Sequence, residues 1–181
     1  MGYKRLNELI TFAGAKGTGK TTVAKEMLDA SKKKHIVVDM QDHPAYRHLP
    51  IITLDQIAQR PKFNCRVLTR EPYKAIAEIN EHIYNMNIVL EDARRYIQAH
   101  VPRHIEEFII NHKQHNTDII MMFHSLRQIP TFVVDLQDRI VLFHTKDKYN
   151  YILNKFDEDV ADVHKKVNDS ANPYEYDHIE V

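Results

Sequence analysis

Glycine is scarce in this chain, with four among 181 residues, and three of the four fall inside one stretch, AGAKGTGKTT, from Ala13 to Thr22. Backbone freedom is therefore concentrated in a single loop. Cysteine is scarcer still: the lone Cys65 excludes a disulfide framework. There is no run of about 18 apolar residues, so no membrane span is expected. The opening MGYKRLNELITF has no long apolar core of the secretory type, which points to a cytoplasmic setting. Charge of one sign is missing too. Lys+Arg and Asp+Glu both number 25, so net charge neither favours nor excludes nucleic acid, and only a local basic patch or a ring of subunits would supply a field. The twelve histidines are scattered, and His112 and His115 lack partners for a zinc site. Repeats, low-complexity tracts and linkers are absent, so residues 1–181 read as a single domain.

What is present is an alternation of short apolar runs and helical patterns. Strands are expected at Leu9–Ala13, His35–Asp39, Cys65–Thr69, Asn87–Glu91, Asp118–Phe123, Arg139–His144 and Tyr174–Val181. Between them Ile76, Ile79, Ile83 and Tyr84 recur at helical spacing, as do Ile105, Phe108, Ile109 and His112, and then Val160, Val163, His164 and Val167. Strands apolar on both faces and separated by amphipathic helices predict an α/β fold, a mainly parallel sheet with helices on both faces. The stretch His43 to Lys62, with Pro44, Pro50 and Pro61, is expected to be irregular.

Gly14-Ala15-Lys16-Gly17-Thr18-Gly19-Lys20-Thr21 matches G-x-x-x-x-G-K-[ST] in full, directly after the apolar LITFA and directly before the helical pattern opening at Thr22. Such a Walker A loop curls so that successive N–H groups point at phosphate oxygens, aided by the positive end of the following helix. ATP is the expected ligand, with Lys20 reaching the β- and γ-phosphates and the Thr21 hydroxyl offered to Mg²⁺. Lys16 is an extra cation in the loop, either a phosphate contact or a solvated side chain.

Further along, the run NMNIVLEDARRYI ends a buried strand in two carboxylates, Glu91 and Asp92. The C-terminal edge of a parallel sheet is where ligands bind. One carboxylate there can hold Mg²⁺ through water, assigned to Glu91, while Asp92 orients the attacking water; the competing reading makes Asp92 a helix N-cap. DIIMMFHSLRQIP is a second buried strand running into His124, either a γ-phosphate sensor or a hydrogen-bonded core histidine.

The order of these elements, the phosphate loop, RVLTR with EPYKAI, IVLEDARRYI, EEFIINHKQH, DIIMMFHSLRQIP, RIVLFHTKD and a closing PYEYDHIEV, resembles the FtsK–HerA superfamily of ATPases. It is most similar to the small viral and phage branch that includes genome-packaging ATPases and Zot-like assembly proteins. The resemblance runs from about Leu9 to Val181 and implies a P-loop NTPase of the additional-strand, RecA-like class. It further implies ATP hydrolysis, double-stranded DNA as partner, a homo-oligomeric and hexameric ring, a viral capsid or portal-like docking partner, and a host-cytoplasmic or virion-associated location. A neighbouring subunit's arginine would complete each site, with Arg127 ranked first, Arg95 second and Arg94 also placed for it. Two positions depart from the family pattern: the acidic pair is Glu91-Asp92 where the family has Asp-Glu, and His124 stands where the family has glutamine. Zot-like proteins also carry a membrane segment, and its lack here favours packaging. Two other readings stay open: a nucleoside- or shikimate-type kinase, with VVDMQDHPAYRH binding the acceptor, and an ATP-binding subunit that does not turn ATP over.

Overall fold

The computed structural model describes residues 7–181; Met1 to Leu6, which the single-domain reading includes, lie outside them. Seven strands, β1 (Leu9–Ala13), β2 (Lys34–Asp39), β3 (Cys65–Leu68), β4 (Met86–Leu90), β5 (Asp118–Phe123), β6 (Arg139–Phe143) and β7 (Tyr176–Glu180), form one sheet in the order β3-β2-β4-β5-β1-β6-β7. All neighbours are parallel except β7, which pairs antiparallel with β6. β5 therefore lies between the loop-bearing β1 and the acid-bearing β4, the extra strand expected of the additional-strand class.

Helices α1 (Lys20–Ala30), α2 (Leu54–Ile57), α3 (Pro72–His82), α4 (Arg103–Asn111), α5 (Thr131–Leu136), α6 (Tyr149–Lys155) and α7 (Glu158–Asp169) fill the crossovers. Successive strand residues point to opposite faces. Ile10, Phe12, Val37, Val89, Ile120, Met122, Val141 and Phe143 pack with Ala24 and Leu28 of α1 and with Tyr46 and Leu49. Their neighbours Leu9, Ile36, Val38, Ile88, Leu90, Ile119, Met121, Ile140 and Leu142 pack with apolar residues of the other six helices. Helices cover both faces, as expected, but unequally: α1 alone serves one face, and α2 to α7 serve the other. No helix among the described residues is long and apolar enough to cross a membrane.

Three expectations need correcting. Tyr84 does not continue the buried stripe of α3, because that helix ends at His82 and the Tyr84 ring is exposed beyond the Ile83 cap. The stretch from His43 to Lys62 is not wholly irregular. A 3-10 turn spans Pro44–Tyr46, and Thr53 forms a capping box with Gln56 at the start of α2, a local hydrogen-bond exchange that proline content alone does not reveal. The last strand begins at Tyr176 rather than Tyr174; its alternating exposure suits a polar, antiparallel edge.

Candidate nucleotide-binding site

The loop from Gly14 to Gly19 is seated between the C-terminal ends of β5 and β6: the Gly14 N–H donates to the Phe123 carbonyl at 3.2 Å and the Ala15 N–H to that of His144 at 2.8 Å. A Cβ on Gly14 would lie 2.4 Å from the Cβ of Phe143, so only glycine allows this approach. Gly19 caps α1 with φ +97° and Gly17 has φ +83°, conformations that side-chain-bearing residues seldom adopt. Thr18 donates its hydroxyl back to the Ala15 carbonyl at 2.9 Å, and Lys20 donates to the carbonyls of Gly14 at 2.6 Å and Ala15 at 2.9 Å. Burial pulls the Lys20 ammonium down to about 8, against the opposing pull of Glu91 and Asp92. Thr22 follows in the first turn of α1.

Lys16, Gly17, Lys20, Thr21, Glu91, Asp92, Arg95 and His124 line one cleft of about 580 Å³ at the C-terminal edge of the sheet, together with Gln41, His43 and Pro44. Glu91 follows β4 directly. Burial, then the neighbouring Asp39 and Asp92 carboxylates, push its carboxyl up to about 7 in spite of Lys20. Its Oε2 is buried without a hydrogen-bond partner, and the phenol of Tyr46 lies beside it, its own ionisation suppressed chiefly by burial. Asp92 has φ +49° and precedes a 3-10 turn at Ala93–Arg95, but its side chain caps no backbone N–H. Instead it accepts from Gln41 Nε2 at 2.8 Å and from Arg95 Nε, and its Oδ1 is 3.3 Å from His124 Nε2. Burial and the Lys20 charge lower the His124 pKa, which keeps the ring neutral near pH 7.

Arg127 stands apart from the cleft. Its Nε donates to Asp147 at 2.9 Å while the side chain remains 60% exposed, and the buried Asp147 also accepts from the Leu126 N–H. Arg94 is exposed beside Arg95.

Residues that the sequence pointed to only as an acceptor-binding segment, together with Arg66, position this group. Asp39, fully buried at the end of β2, accepts from the N–H groups of Gln41 at 2.9 Å and His43 at 2.8 Å, and pairs at 3.3 Å with Arg66, which also reaches Asp42 at 2.6 Å. That turn is what brings Gln41 to Asp92. A signal was available in an aspartate ending an otherwise apolar strand and an arginine inside the next one.

Fold and cleft together define a P-loop NTPase architecture. Solved structures with this fold include the genome packaging NTPase B204 of Sulfolobus turreted icosahedral virus 2 in complex with ATP-gammaS, at TM-score 0.80 and 17% identity over 98% of this chain and 94% of that one. They also include B204, the DNA-packaging ATPase of Sulfolobus turreted icosahedral virus, at TM-score 0.72 and 16% identity over 98% of both chains. The N-terminal domain of zonular occludens toxin from Neisseria meningitidis follows at TM-score 0.50 and 12% identity over 78% of both chains. No protein-family model matches the chain, and no curated protein matches it by sequence.

The Glu91 carboxyl gives a pH-dependent expectation. A carboxyl raised in the folded state contributes stability that is fully present below its unfolded value and is lost as pH rises through the folded value. The rise from 4.5 to about 7 corresponds to about 3 kcal/mol. Glu91→Gln should therefore leave thermal stability nearly unchanged at pH 4.5 and raise it progressively up to about pH 7, beyond which the gain levels off. Melting curves across that range check this, and a pH-independent difference would contradict it.

Proposed function

We propose that this chain is an ATP-hydrolysing motor of the FtsK–HerA type, a single ATPase domain that works in a homo-oligomeric, hexameric ring to move double-stranded DNA during genome packaging against a viral capsid or portal-like partner, in the host cytoplasm or on the virion. The observation that carries the reading is the convergence of Lys20, Thr21, Glu91, Asp92 and His124 on one cleft, with β5 between the loop strand and the acidic strand. The B204 neighbours, a genome packaging NTPase and a DNA-packaging ATPase, support packaging in particular.

In this mechanism the N–H groups from Lys16 to Thr22 face the phosphates, that of Ala15 being held by the His144 carbonyl, and Lys20 exchanges the carbonyls of Gly14 and Ala15 for β- and γ-phosphate oxygens. The residues suit Mg²⁺: the Thr21 hydroxyl lines the cleft that holds the unpartnered, buried Glu91 Oε2. Mg²⁺ when bound supplies charge neutralisation at the β- and γ-oxygens. Asp92 orients the attacking water and accepts its proton, held in place by Gln41. His124, neutral and within 3.3 Å of Asp92, donates toward the γ-phosphate or the water and so senses whether ATP is present. Gln41 gives the VVDMQDHPAYRH segment a task within hydrolysis, with no phosphate acceptor needed. Arg95 lines the cleft of its own chain and is engaged there by Asp92, whereas Arg127, paired with Asp147 and 60% exposed, stands outside it, so Arg127 is our choice for the finger that enters a neighbour's site.

The test is phosphate release from ATP at rising protein concentration, with and without duplex DNA. Turnover should climb steeply with concentration, climb again with DNA, and fall as salt screens the phosphate contacts. Mixing Arg127→Ala with Lys20→Ala subunits should restore part of the activity that each lacks alone. A monomer indifferent to DNA and concentration that phosphorylates a small acceptor would refute the motor and make the chain a kinase.

A further inference from the structure

The end of the sheet opposite the nucleotide cleft carries a second, differently built surface. At the N-terminal ends of β2 and β4, a hollow of about 380 Å³ is lined by Lys34, Arg60, Lys62, His82 and Tyr84 among others, with no carboxylate in its lining. A second hollow of about 440 Å³ shares Arg60, Pro61 and Lys62 and is lined also by Phe63. The sequence Gln59-Arg60-Pro61-Lys62-Phe63 is thus a ridge between two depressions. Among the described residues, Lys34, Arg60 and Lys62 have no carboxylate partner, although Lys33, Arg66, Arg95, Lys113 and Arg139 are all paired. Glu78 and Glu81 of the α3 side pair with His82, at 3.5 and 3.9 Å from its Nε2.

Aromatic rings stand among these cations. Tyr84 is 45% exposed, with the Arg60 guanidinium 5.8 Å and the His115 ring centre 4.5 Å from its ring centre; Phe63 is 48% exposed. The backbone is unusual here as well. Arg60, Asn85 and Asn116 have φ of +54°, +59° and +53°. Asparagine tolerates that region, but arginine does so at a cost, and at the end of α2 a glycine would serve better. The arginine side chain is thus kept where the local backbone favours its removal, a mark of selection for something other than folding.

We infer that this ridge and its flanking hollows are a nucleic-acid contact surface, in which Lys34, Arg60 and Lys62 bind backbone phosphates and Tyr84 and Phe63 lie against sugar or base. Unpaired cations interleaved with exposed aromatic faces suit a polyanion that carries flat rings. The choice of DNA as that polyanion rests on the motor reading. The two strands that begin at this surface end at the cleft: β2 runs from Lys34 to Asp39, the anchor of Gln41 and His43, and β4 runs from Met86 to the residue before Glu91. DNA and ATP would thus sit at opposite ends of the same pair of strands.

The experiment uses the full chain and a fluorescein-labelled duplex, with binding read by anisotropy over a salt series. The triple variant Lys34→Gln/Arg60→Gln/Lys62→Gln should bind about tenfold or more weakly at low salt, with the slope of log K against log salt reduced by about 2 to 3, while ATP hydrolysis without DNA is unchanged. Arg60→Gly separates binding from folding: it should melt at a higher temperature than the parent and yet bind DNA more weakly. Wild-type DNA binding by the triple variant overturns the inference, as does equal affinity of the parent for a poly-glutamate peptide at the same ionic strength, which would make this a surface for acidic protein. The motor reading fails separately, through absence of ATP turnover in the parent, and that result leaves the DNA arm of the measurement intact.

Discussion

Lys20→Ala should bind no ATP at concentrations that saturate the parent, and its turnover should fall by at least about 10³-fold, since one fixed cation at the transferring phosphoryl group is worth this much or more. The residue is 8% exposed and its ammonium has no role in the sheet or either core; it hydrogen-bonds only to the Gly14 and Ala15 carbonyls, and the Glu91 carboxyl whose charge it offsets can take up a proton in its absence. The Ala15 carbonyl keeps the Thr18 hydroxyl as a donor, so one carbonyl loses its partner at a cost of about 1 kcal/mol, partly offset by the helix preference for alanine at the start of α1. The variant should therefore fold and melt close to the parent. Titration with a fluorescent ATP analogue, alongside a melting curve, decides the matter. Parent-like affinity would remove Lys20 from the phosphate site.

Asp92→Asn should show the opposite split, with ATP bound as in the parent and hydrolysed about 10² to 10⁴ times more slowly, because the amide keeps the shape and cannot accept a proton from water. Asparagine is among the few residues at ease with the φ of +49° at this position, and it can still accept from Gln41. The weakened contact to Arg95 is half exposed and matters little to stability. Single-turnover measurements with bound ATP isolate the chemical step. Undiminished turnover would mean that the aspartate serves only to hold Arg95, Gln41 and His124 together.

The strands were legible because both faces of this sheet are buried, which leaves β1, β4 and β5 as largely apolar runs, interrupted only by Thr11 and Asn87 and opened by Asp118, whose C-terminal ends are visible as a change to polar or loop residues. The loop, Glu91, Asp92 and His124 were legible for the same reason: each is the point at which such a run stops, and in a parallel sheet these points gather at one edge. Gln41, His43 and Tyr46 were visible only as part of an acceptor-binding segment, because their arrival beside the acidic pair depends on β2 lying beside β4 although β3 intervenes in the chain. Neighbours that are not consecutive leave no local trace. The Arg127 bond to Asp147 was equally hidden, as it joins the segment after β5 to the segment after β6. The unequal coverage of the two faces depends on crossover placement, which the strand patterns do not encode.

The seat of the phosphate loop is assembled from distant parts of the chain: β1 pairs with β5 and β6, Phe143 lies against Gly14 and stacks on Tyr176, and a Cβ on Gly19 would meet Tyr174 at 3.8 Å. Apart from the Phe143–Tyr176 stack, these contacts have sequence separations of more than 100 residues, so the cost of closing long loops falls on the same strand that carries the nucleotide site. A nascent chain that has produced the glycine-rich motif, α1 and β2 holds every residue of that motif and none of its walls. The seat of the loop is thus completed late in folding, after the last third of the chain has joined the sheet, and a chain that has not finished folding carries the motif without the site.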